Sequence, residues 1–471
     1  MDGRFWYTCA MPDLVTRRSF VTRSATLGAG MAIGGPLAAL AARTDQAGAR
    51  PRTTGYGPLR PTTEEDSGVA LLALPAGFHY RVVSRSGQPM RDGLPTPGVF
   101  DGMAAFDGPD GATVLIRNHE NRSAPGEIGV PVPAALRYDP DPAVRGGNTK
   151  LVVGPDRRLR EAFAVLGGTH TNCAGGRTPW GTWITCEEVF TDTTGGVPHG
   201  YVFEVRASAG EPSAAVPVKA AGRFSHEAVA WLRGVLYLTE DRGDAAFYRF
   251  LPDRRPRGAG DLAAAGGRLQ ALVVEGRPRL DMDTVAPGQR LDVTWTTIPD
   301  PDPDEDTVRA QARFSGAAVF TRTEGAWPGD GRVFFDCTTG GDAGLGQIWE
   351  YRPRGRDRGE LRLVYESTNA GDLENPDNLV VVPRTGHVFA MEDGDGEQFV
   401  RGVTRGGEIY DVASTLVNSS ELCGGCFSRD GRTFFVNQQG ERLAPGETPA
   451  GQADARRALT YAIWGPFGAT R

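Results

Sequence analysis

The sequence lacks the features that mark several common protein classes. Outside residues 1–42 it has almost no long apolar pattern at helical spacing, which argues against a helical bundle. It has no Gly-x-Ser-x-Gly segment, so the nucleophile elbow of α/β-hydrolases is excluded. There is no basic stripe, and the net charge is −7, so we expect no nucleic-acid partner and no attraction to an anionic membrane.

Cysteine is scarce as well, which limits the contribution of disulfides. Of the six cysteines, Cys9 lies near the N-terminus, and the odd number that remains leaves at least one unpaired. Cys423 and Cys426 are separated by two glycines, so they could close a small disulfide or be two buried thiols. The sequence favours neither alternative.

The N-terminal residues carry a targeting pattern. Thr16-Arg-Arg-Ser-Phe-Val21 is a twin-arginine motif, and the uncharged stretch 25–42 is too rich in Gly and Ala for a convincing membrane span. We predict that residues 1–42 are a twin-arginine signal peptide and that residues 43–471 form a single β-propeller domain. The partner would be the twin-arginine export machinery, which carries folded proteins to the periplasm or the exterior, without stable membrane insertion. A disordered cationic tail is the alternative interpretation.

Glycine and proline are abundant instead, with 64 Gly and 34 Pro making up more than a fifth of the chain. Short strands are bounded by turn signals such as Gly108-Pro-Asp-Gly111 and Gly329-Asp-Gly331. This composition indicates an all-β fold.

A sixfold recurrence organises these strands. Six times a short apolar strand runs into polar or acidic residues, in segments 114–120, 183–188, 235–241, 333–338, 388–393 and 434–439. Roughly 12–17 residues before each polar end stands another polar residue at the head of a small or apolar run. These heads are Asp101, Cys173, Glu227, Glu324, Asp377 and Cys423. Six strand pairs that deliver polar groups to matching places predict a six-bladed β-propeller with an axial metal site.

The second head lies in a segment that combines soft and hard metal ligands. Ala-Gly-Gly leaves backbone room around Cys173, and a strand then carries Glu187 and Glu188 inward. A thiolate is a soft ligand and carboxylates are hard ones, so a site with both can hold iron beside calcium. The alternative is a structural one without metal, in which the cysteine is simply buried and the two acids lie on the surface.

Several motifs together resemble those of the PhoX-type alkaline phosphatases. They are Asn172-Cys-Ala-Gly-Gly, Thr178-Pro-Trp-Gly-Thr-Trp, Cys186-Glu-Glu, Phe224-Ser-His-Glu-Ala, Phe320-Thr-Arg-Thr-Glu-Gly, Asn375-Pro-Asp-Asn-Leu, Met391-Glu-Asp-Gly and Cys426-Phe-Ser-Arg-Asp-Gly. The matches span residues 100–440, and their joint order is specific. The resemblance implies twin-arginine export, a six-bladed propeller, and a cluster of ferric iron (Fe3+) and calcium (Ca2+) that hydrolyses phosphomonoesters.

The resemblance also implies roles for individual residues. Cys173 is similar to the iron-bound thiolate of the family, and Arg322 matches an arginine that contacts phosphate. The residues that match metal carboxylates are Glu188, Glu227, Glu324 and Asp377, with Glu392 and Asp393 where the family has further acids. The sequence does not decide which of the last two binds. Arg322 could instead be a salt-bridge partner of Glu324.

The chain departs from the family pattern in two places. The region before Cys173 lacks a longer insert in which the best-known members place another basic phosphate contact, and His170 stands nearby instead. Cys423 occupies a place where a small residue that is not a ligand is expected. Asn118, His119 and Glu120 could add polar groups from the first repeat, or could be a plain polar strand end.

We therefore expect a monomeric, exported phosphatase that acts on small phosphoesters. Clustered cations would neutralise the phosphate oxygens and lower the pKa of a bound water or oxo species, which then attacks phosphorus in line with the leaving group. A calcium-dependent lactonase or phosphotriesterase on a six-bladed propeller is one alternative, and a non-catalytic binding propeller with a structural metal is another. Cys173 discriminates among them, because calcium sites do not need a thiolate ligand.

Overall fold

The computed structural model describes residues 54–123, 127–193, 195–442, 447–448 and 451–468. The predicted signal peptide, residues 1–42, lies outside the described residues. Residues 52–471 form one compact unit. Within the described ranges, no helix is both long enough and apolar enough to cross a membrane.

Strands dominate the described part of the chain, and the two α-helices found there are short. The first strands are β1 (Arg60–Thr63), β2 (Ala70–Leu74), β3 (His79–Arg85), β4 (Phe100–Asp107), β5 (Thr113–His119), β6 (Gly146–Val153), β7 (Leu159–Thr169), β8 (Asn172–Arg177), β9 (Thr182–Glu187), β10 (Thr191–Asp192), β11 (Pro198–His199) and β12 (Val202–Arg206). Next come β13 (His226–Leu232), β14 (Val235–Glu240), β15 (Tyr248–Pro252), α1 (Asp261–Ala264), β16 (Gly267–Val274), β17 (Arg290–Thr297), α2 (Val308–Phe314), β18 (Thr323–Gly329), β19 (Arg332–Cys337), β20 (Gln347–Arg354) and β21 (Arg358–Glu366). The last are β22 (Pro376–Val381), β23 (Val388–Glu392), β24 (Phe399–Val403), β25 (Ile409–Thr415), β26 (Leu422–Phe427), β27 (Thr433–Gln438) and β28 (Leu459–Trp464).

The sheets are antiparallel, and in most of them a strand pairs with the next one along the chain. β4 to β7 form a four-stranded sheet, and β8, β9 and β12 form a three-stranded one. β13 to β21 form one nine-stranded sheet, because the outer strand β17 pairs with β21. β22 to β25 are extended by β2 and β1 into a six-stranded sheet, and β10 pairs only with β11.

The N-terminal strands close the molecule. β3 pairs with the C-terminal strand β28 and completes a four-stranded sheet with β26 and β27. β2 pairs with β25 in the preceding sheet. The two ends of the unit are therefore held together by backbone hydrogen bonds, as in propellers closed by a strand from each terminus.

Six strands line a closed inner ring. β4 packs beside β8, β8 beside β13, β13 beside β18, β18 beside β22, β22 beside β26, and β26 beside β4. Apolar clusters fill the layers between neighbouring sheets, and Trp327 on β18 packs against four of them. The sheets thus surround an axis, and the start of each ring strand faces the same end.

The fold agrees with the sequence at the level of class. The protein has an all-β, propeller-like fold, as predicted from the short strands and turn signals. Cys423 and Cys426 are both buried free thiols, which resolves the alternative that the sequence left open. Cys173, Cys186 and Cys337 are also buried and free.

Candidate metal centre

Each of the six predicted head residues lies at or beside a β-bulge. The pairing between the first and second strands of every repeat shifts register at this point, between Phe100 and Met103 in the first repeat and at matching places in the others. A bulge leaves a residue without a partner and re-aims its side chain. The alternation of a regular strand would send neighbouring side chains to opposite faces, so the bulge is what directs the heads toward the axis.

A strained backbone precedes four of the bulges. Val99, Thr171, Arg322 and Asn375 each lie two residues before a head and have φ between 46° and 53°. Left-handed backbone is uncommon for residues other than glycine, and it is least favourable for β-branched Val and Thr. Its recurrence at one position shows that the turn into the ring strand is imposed by the tertiary structure.

A second row of residues follows the second strand of each repeat. Its backbone amides make the same hydrogen bond six times, to the carbonyl of the residue two before the head. The pairs are Glu120 to Val99, Glu188 to Thr171, Asp241 to Ser225, Thr338 to Arg322, Asp393 to Asn375 and Gln439 to Glu421, at 2.9–3.3 Å. These bonds place the second row beside the heads, at the same end of the ring.

The two rows form one buried cluster of acids with a thiol. The Cys173 thiol donates to Glu227 Oε1 at 3.0 Å and lies 3.6 Å from Asp101 Oδ2. Ligand atoms of Glu120, Cys173 and Glu188 lie within 4.8 Å of one another, and the same holds for Asp101, Glu421 and Cys423. The structure therefore brings together the predicted Cys173, Glu188 and Glu227.

The remaining predicted acids, Glu324 and Asp377, interact electrostatically with this cluster. Burial, followed by the charges of Asp241 and Asp377, raises the pKa of Glu324 well above its ordinary value. Burial, followed by Glu188 and Asp377, does the same to the pKa of Glu227. Burial and the neighbouring acids also raise the pKa values of Asp101, Glu188 and Glu421. Carboxyl groups packed this closely cannot all ionise unless cations compensate them.

Two arginines lie against the acids at the mouth of the cluster. Arg322 donates to both oxygens of Asp241, at 2.6 and 3.0 Å, and to Glu324 Oε1 at 2.7 Å. Arg122 donates through two nitrogens to Glu120 Oε1 and lies 3.6 Å from Glu188 Oε2. The Arg322 side chain is 25% exposed and that of Arg122 is 32% exposed, so both can meet a ligand from solvent.

The structure separates Glu392 from Asp393. Glu392 Oε1 accepts from Arg401 Nε at 2.8 Å and from the amide of Glu374, and burial raises the pKa of Glu392 to about 7. It matches Glu187 and Glu240, which end their strands and bind groups of their own repeats. Asp393 belongs to the second row with Glu188, and its charge acts on Glu421. Of the pair that the sequence left open, Asp393 is therefore the one that the structure places at the cluster.

Donors from one repeat fix the bulges of the next. Asn118 donates to the carbonyls of Cys173 and Ala174, at 2.7 and 2.8 Å. The Thr239 hydroxyl donates to the carbonyl of Glu324, and the Asn437 amide donates to that of Asp101. The backbone of three heads is thus held by the neighbouring repeat, which limits how far those side chains can move.

Some members of the cluster were missed from the sequence. Glu421 and Arg122 were not singled out, although Glu421 stands two residues before a head and Arg122 three residues after the end of β5. Glu120 and Asp241 each end one of the six recurring segments, and this shared position was the sequence signal that could have placed them in the cluster. His170, noted near Cys173, is half-buried and bonds Thr171 through its ring.

The residues present fit a cation cluster. Glu227 Oε2 is fully buried and has no hydrogen-bond partner in the described part of the protein. Hard carboxylate oxygens surround it, and the soft Cys173 sulfur lies beside it, which matches a centre that holds both hard and softer metal ions. A buried carboxylate oxygen without a partner is costly, and a bound cation would remove that cost.

A propeller-like fold with such a centre defines a class of metalloenzyme, and comparison with known proteins identifies the family. The family model for alkaline phosphatase PhoX matches residues 54–441. The chain therefore belongs to the PhoX alkaline phosphatase family, and the resemblance seen in the sequence is confirmed. As a member of that family it is a metal-dependent phosphatase of the phosphoric monoester hydrolase class.

Comparison with solved structures gives a match to a PhoX protein. PhoX of Pseudomonas fluorescens, in complex with vanadate, a transition state analogue, matches with a TM-score of 0.66 and 19% identity, over 89% of this chain and 99% of that chain. A gluconolactonase from Xanthomonas campestris matches with a TM-score of 0.38 and 12% identity, over 88% of this chain and 98% of that chain. A comparison with curated protein sequences gives no match.

Proposed function

We propose that this protein is an exported, six-bladed phosphatase that hydrolyses phosphomonoesters at a centre of ferric iron and calcium. The observation that carries the proposal is the buried cluster in which Cys173 lies against Glu227 and beside Glu120 and Glu188. A thiol among carboxylates favours iron over a site for calcium alone. The family match supplies the reaction class.

Six blades are supported by repetition within the fold. The inner ring has six strands, the register shift occurs six times, and the backbone hydrogen bond into the second row also occurs six times. On this interpretation the nine-stranded sheet is two blades, one running from β13 to β17 and the other from β18 to β21, which are joined at their outer edges. The metal site would then lie on the axis.

The ligands would come from both rows. Cys173, Glu188, Glu227, Glu324 and Asp377 remain the proposed core set, and Asp393 replaces Glu392. Asp101, Glu120, Asp241 and Glu421 join them as further carboxylates. Because burial favours the protonated form of these acids, cation binding would displace protons, and metal affinity would rise with pH.

The chain's own groups would position the substrate. When bound, the cations would supply charge neutralisation for the phosphate oxygens and activation of water for in-line attack. Arg322, whose side chain is partly exposed, would direct its N–H donors toward the phosphate. The buried floor of the cluster would exclude bulk water, which strengthens each of these interactions.

The remaining elements of the proposal concern location and assembly. The twin-arginine motif in residues 1–42 motivates export to the periplasm or the exterior through the twin-arginine machinery. A monomer is proposed because the unit closes on itself through β3 and β28.

Elemental analysis of natively exported protein, paired with hydrolysis of p-nitrophenyl phosphate, tests the function. We expect iron and calcium together, and activity that is lost on chelation and restored by the metals. Calcium without iron, with lactone hydrolysis, would favour the lactonase instead. Absence of metal and of turnover would leave a binding propeller.

A further inference from the structure

Two arginines, rather than one, lie at the mouth of the metal centre. Arg122 and Arg322 come from different repeats, since Arg122 follows β5 and Arg322 precedes β18. Each presents a fork of donors to acids of the second row, and each keeps part of its side chain exposed. Arg322 was expected from the family, whereas nothing assigns a role to Arg122.

The two guanidinium groups are connected by a short chain of carboxyl groups. Arg122 lies 3.6 Å from Glu188, Glu188 shares a hydrogen bond with Asp241, and Asp241 accepts from Arg322. The arginines therefore flank the Glu188–Asp241 pair. An anion seated over this pair would be within reach of donors from both sides.

Cation binding changes what the arginines can do. Glu120, Glu188 and Asp241 lie where the proposed ligands gather, and a carboxylate oxygen that binds a cation is a weaker acceptor for an arginine. Arginine keeps its charge at all working pH values, so each guanidinium would then need another anion. The planar fork matches the oxygens of a phosphate group.

We propose that Arg122 is a second phosphate-contacting residue, which acts opposite Arg322 and makes the site favour phosphomonoesters over phosphodiesters. The inference rests on the proposed phosphatase function. A monoester dianion has three terminal oxygens, enough for the cations and two arginines. A diester has two terminal oxygens and one negative charge, so it gains less from the second arginine.

The experiment compares Arg122→Ala with wild type in three measurements on metal-loaded protein. They are iron and calcium content, the Kd for inorganic phosphate, and kcat/KM for p-nitrophenyl phosphate and for bis-p-nitrophenyl phosphate. We expect unchanged metal content, phosphate binding weaker by about 10- to 100-fold, and a larger loss for the monoester than for the diester. Arg332→Ala is the matched control, because Arg332 also pairs with a carboxylate, Glu350, and is 25% exposed against 32% for Arg122. It begins β19, at the opposite end of the β18–β19 pair from the head Glu324.

The possible results distinguish a failure of the Arg122 role from a failure of the proposed phosphatase function. Unchanged phosphate Kd with full metal content overturns the role of Arg122, and so does an equal loss for both esters. If Arg122→Ala loses its metals, Arg122→Lys decides, because it keeps the charge beside Glu120 but not the fork. Weaker phosphate binding in that variant supports the inference, and unchanged binding overturns it. Wild-type protein that neither binds phosphate nor hydrolyses the monoester would overturn the phosphatase proposal itself.

Discussion

At the scale of single residues, the chemistry depends on which polar groups face the axis. Cys173 and Glu227 are in contact, and both are almost fully buried. Burial, followed by the charges of Asp101 and Glu227, raises the pKa of the Cys173 thiol, so the thiolate would need a cation to form. Burial thus favours the protonated thiol in the metal-free protein, and a bound cation would favour the thiolate that we propose as a ligand.

Cys173→Ser tests this role. We expect the fold to persist while iron content and phosphatase activity fall by at least about 10- to 100-fold, the loss typical of disturbing even the outer partners of a metal. Iron analysis and steady-state kinetics on the same sample measure both. Cys426→Ser is the control, because Cys426 is equally buried but packs in an apolar cluster. Full iron and full turnover in Cys173→Ser would make the cysteine a packing residue.

Glu324 and Arg322 stand two residues apart, and we expect their replacement to have different effects on metal content and activity. Glu324→Ala should lose metal and with it all activity. Arg322→Ala should keep metal and lose roughly 30- to 1000-fold in kcat/KM, the effect of about 2–4 kcal/mol of transition-state binding. Metal content measured beside the kinetics distinguishes the two. Loss of metal in Arg322→Ala would show that its bonds to Asp241 and Glu324 are structural.

At the scale of elements, the bulge at the start of each ring strand is the feature that makes a site. Asn118 on β5 supports the bulge of β8 by donating to Cys173 and Ala174, and its own oxygen accepts from Trp183 Nε1 at 2.8 Å. Every polar atom of this amide is thus used. Such saturated networks fix geometry, and their partial loss is costly.

Asn118→Leu should therefore destabilise the protein. The change keeps the number and branching of side-chain heavy atoms but leaves the two carbonyls and the indole N–H without this partner, at about 1–3 kcal/mol for each buried group. Urea unfolding of the metal-free protein measures this without a contribution from the cations. Asn118→Asp, which sets a carboxyl group against the same two carbonyls, should also be less stable than wild type. A change in unfolding free energy below about 0.5 kcal/mol, the usual effect of a surface substitution, would contradict the role of Asn118 in supporting the bulge of β8.

His199 joins β11 to β9 through Glu187 and to the loop at Asp139. Burial alone would lower the pKa of His199, but Glu187, at 2.7 Å, and Asp139, at 3.3 Å, outweigh it and raise the pKa. Because the folded pKa is higher than the unfolded one, the stabilisation is complete below pH about 6.5 and is lost as the pH rises through the folded pKa.

The unfolding free energy of wild type should accordingly decline as the pH rises above about 6.5. His199→Asn, which can still donate to Glu187 but does not titrate, should lose this part of the slope. Chemical unfolding at several pH values between 6 and 9 compares the two. Parallel pH profiles would mean that His199 does not titrate in this window.

At the scale of the whole molecule, the ring concentrates acids that the fold alone does not neutralise. The pKa values of Asp101, Glu188, Glu227, Glu324 and Glu421 are all raised, first by burial and then by the charges of neighbouring acids. In the metal-free protein their contribution to stability is complete below the unfolded pKa, about 4.5, and is lost as the pH rises. Bound cations would reverse this effect.

Chelation should therefore lower the melting temperature more at pH 8 than at pH 5.5. The reason is that the raised pKa values favour the protonated acids, and a higher pH works against this by driving the acids to ionise without a compensating charge. Thermal unfolding with and without chelator, at both pH values, measures the difference. Equal shifts at the two pH values would show that the cluster does not control stability.

The sequence by itself determined the polar positions, the β class and the family. The sixfold spacing identified all six heads, and the motifs around Cys173 and Glu324 were sufficient to indicate metal chemistry. These features are local, so they can be read from spacing and residue type.

The tertiary structure alone decided which polar groups meet. Glu392 and Asp393 are adjacent in sequence, yet one binds Arg401 and the other joins the second row, because register and bulges set the direction of a side chain. Glu421 and Arg122 come to the cluster from the connections before β26 and after β5, whose path no periodic pattern encodes. Contacts between residues as distant as Asn437 and Asp101 exist only because the ring closes.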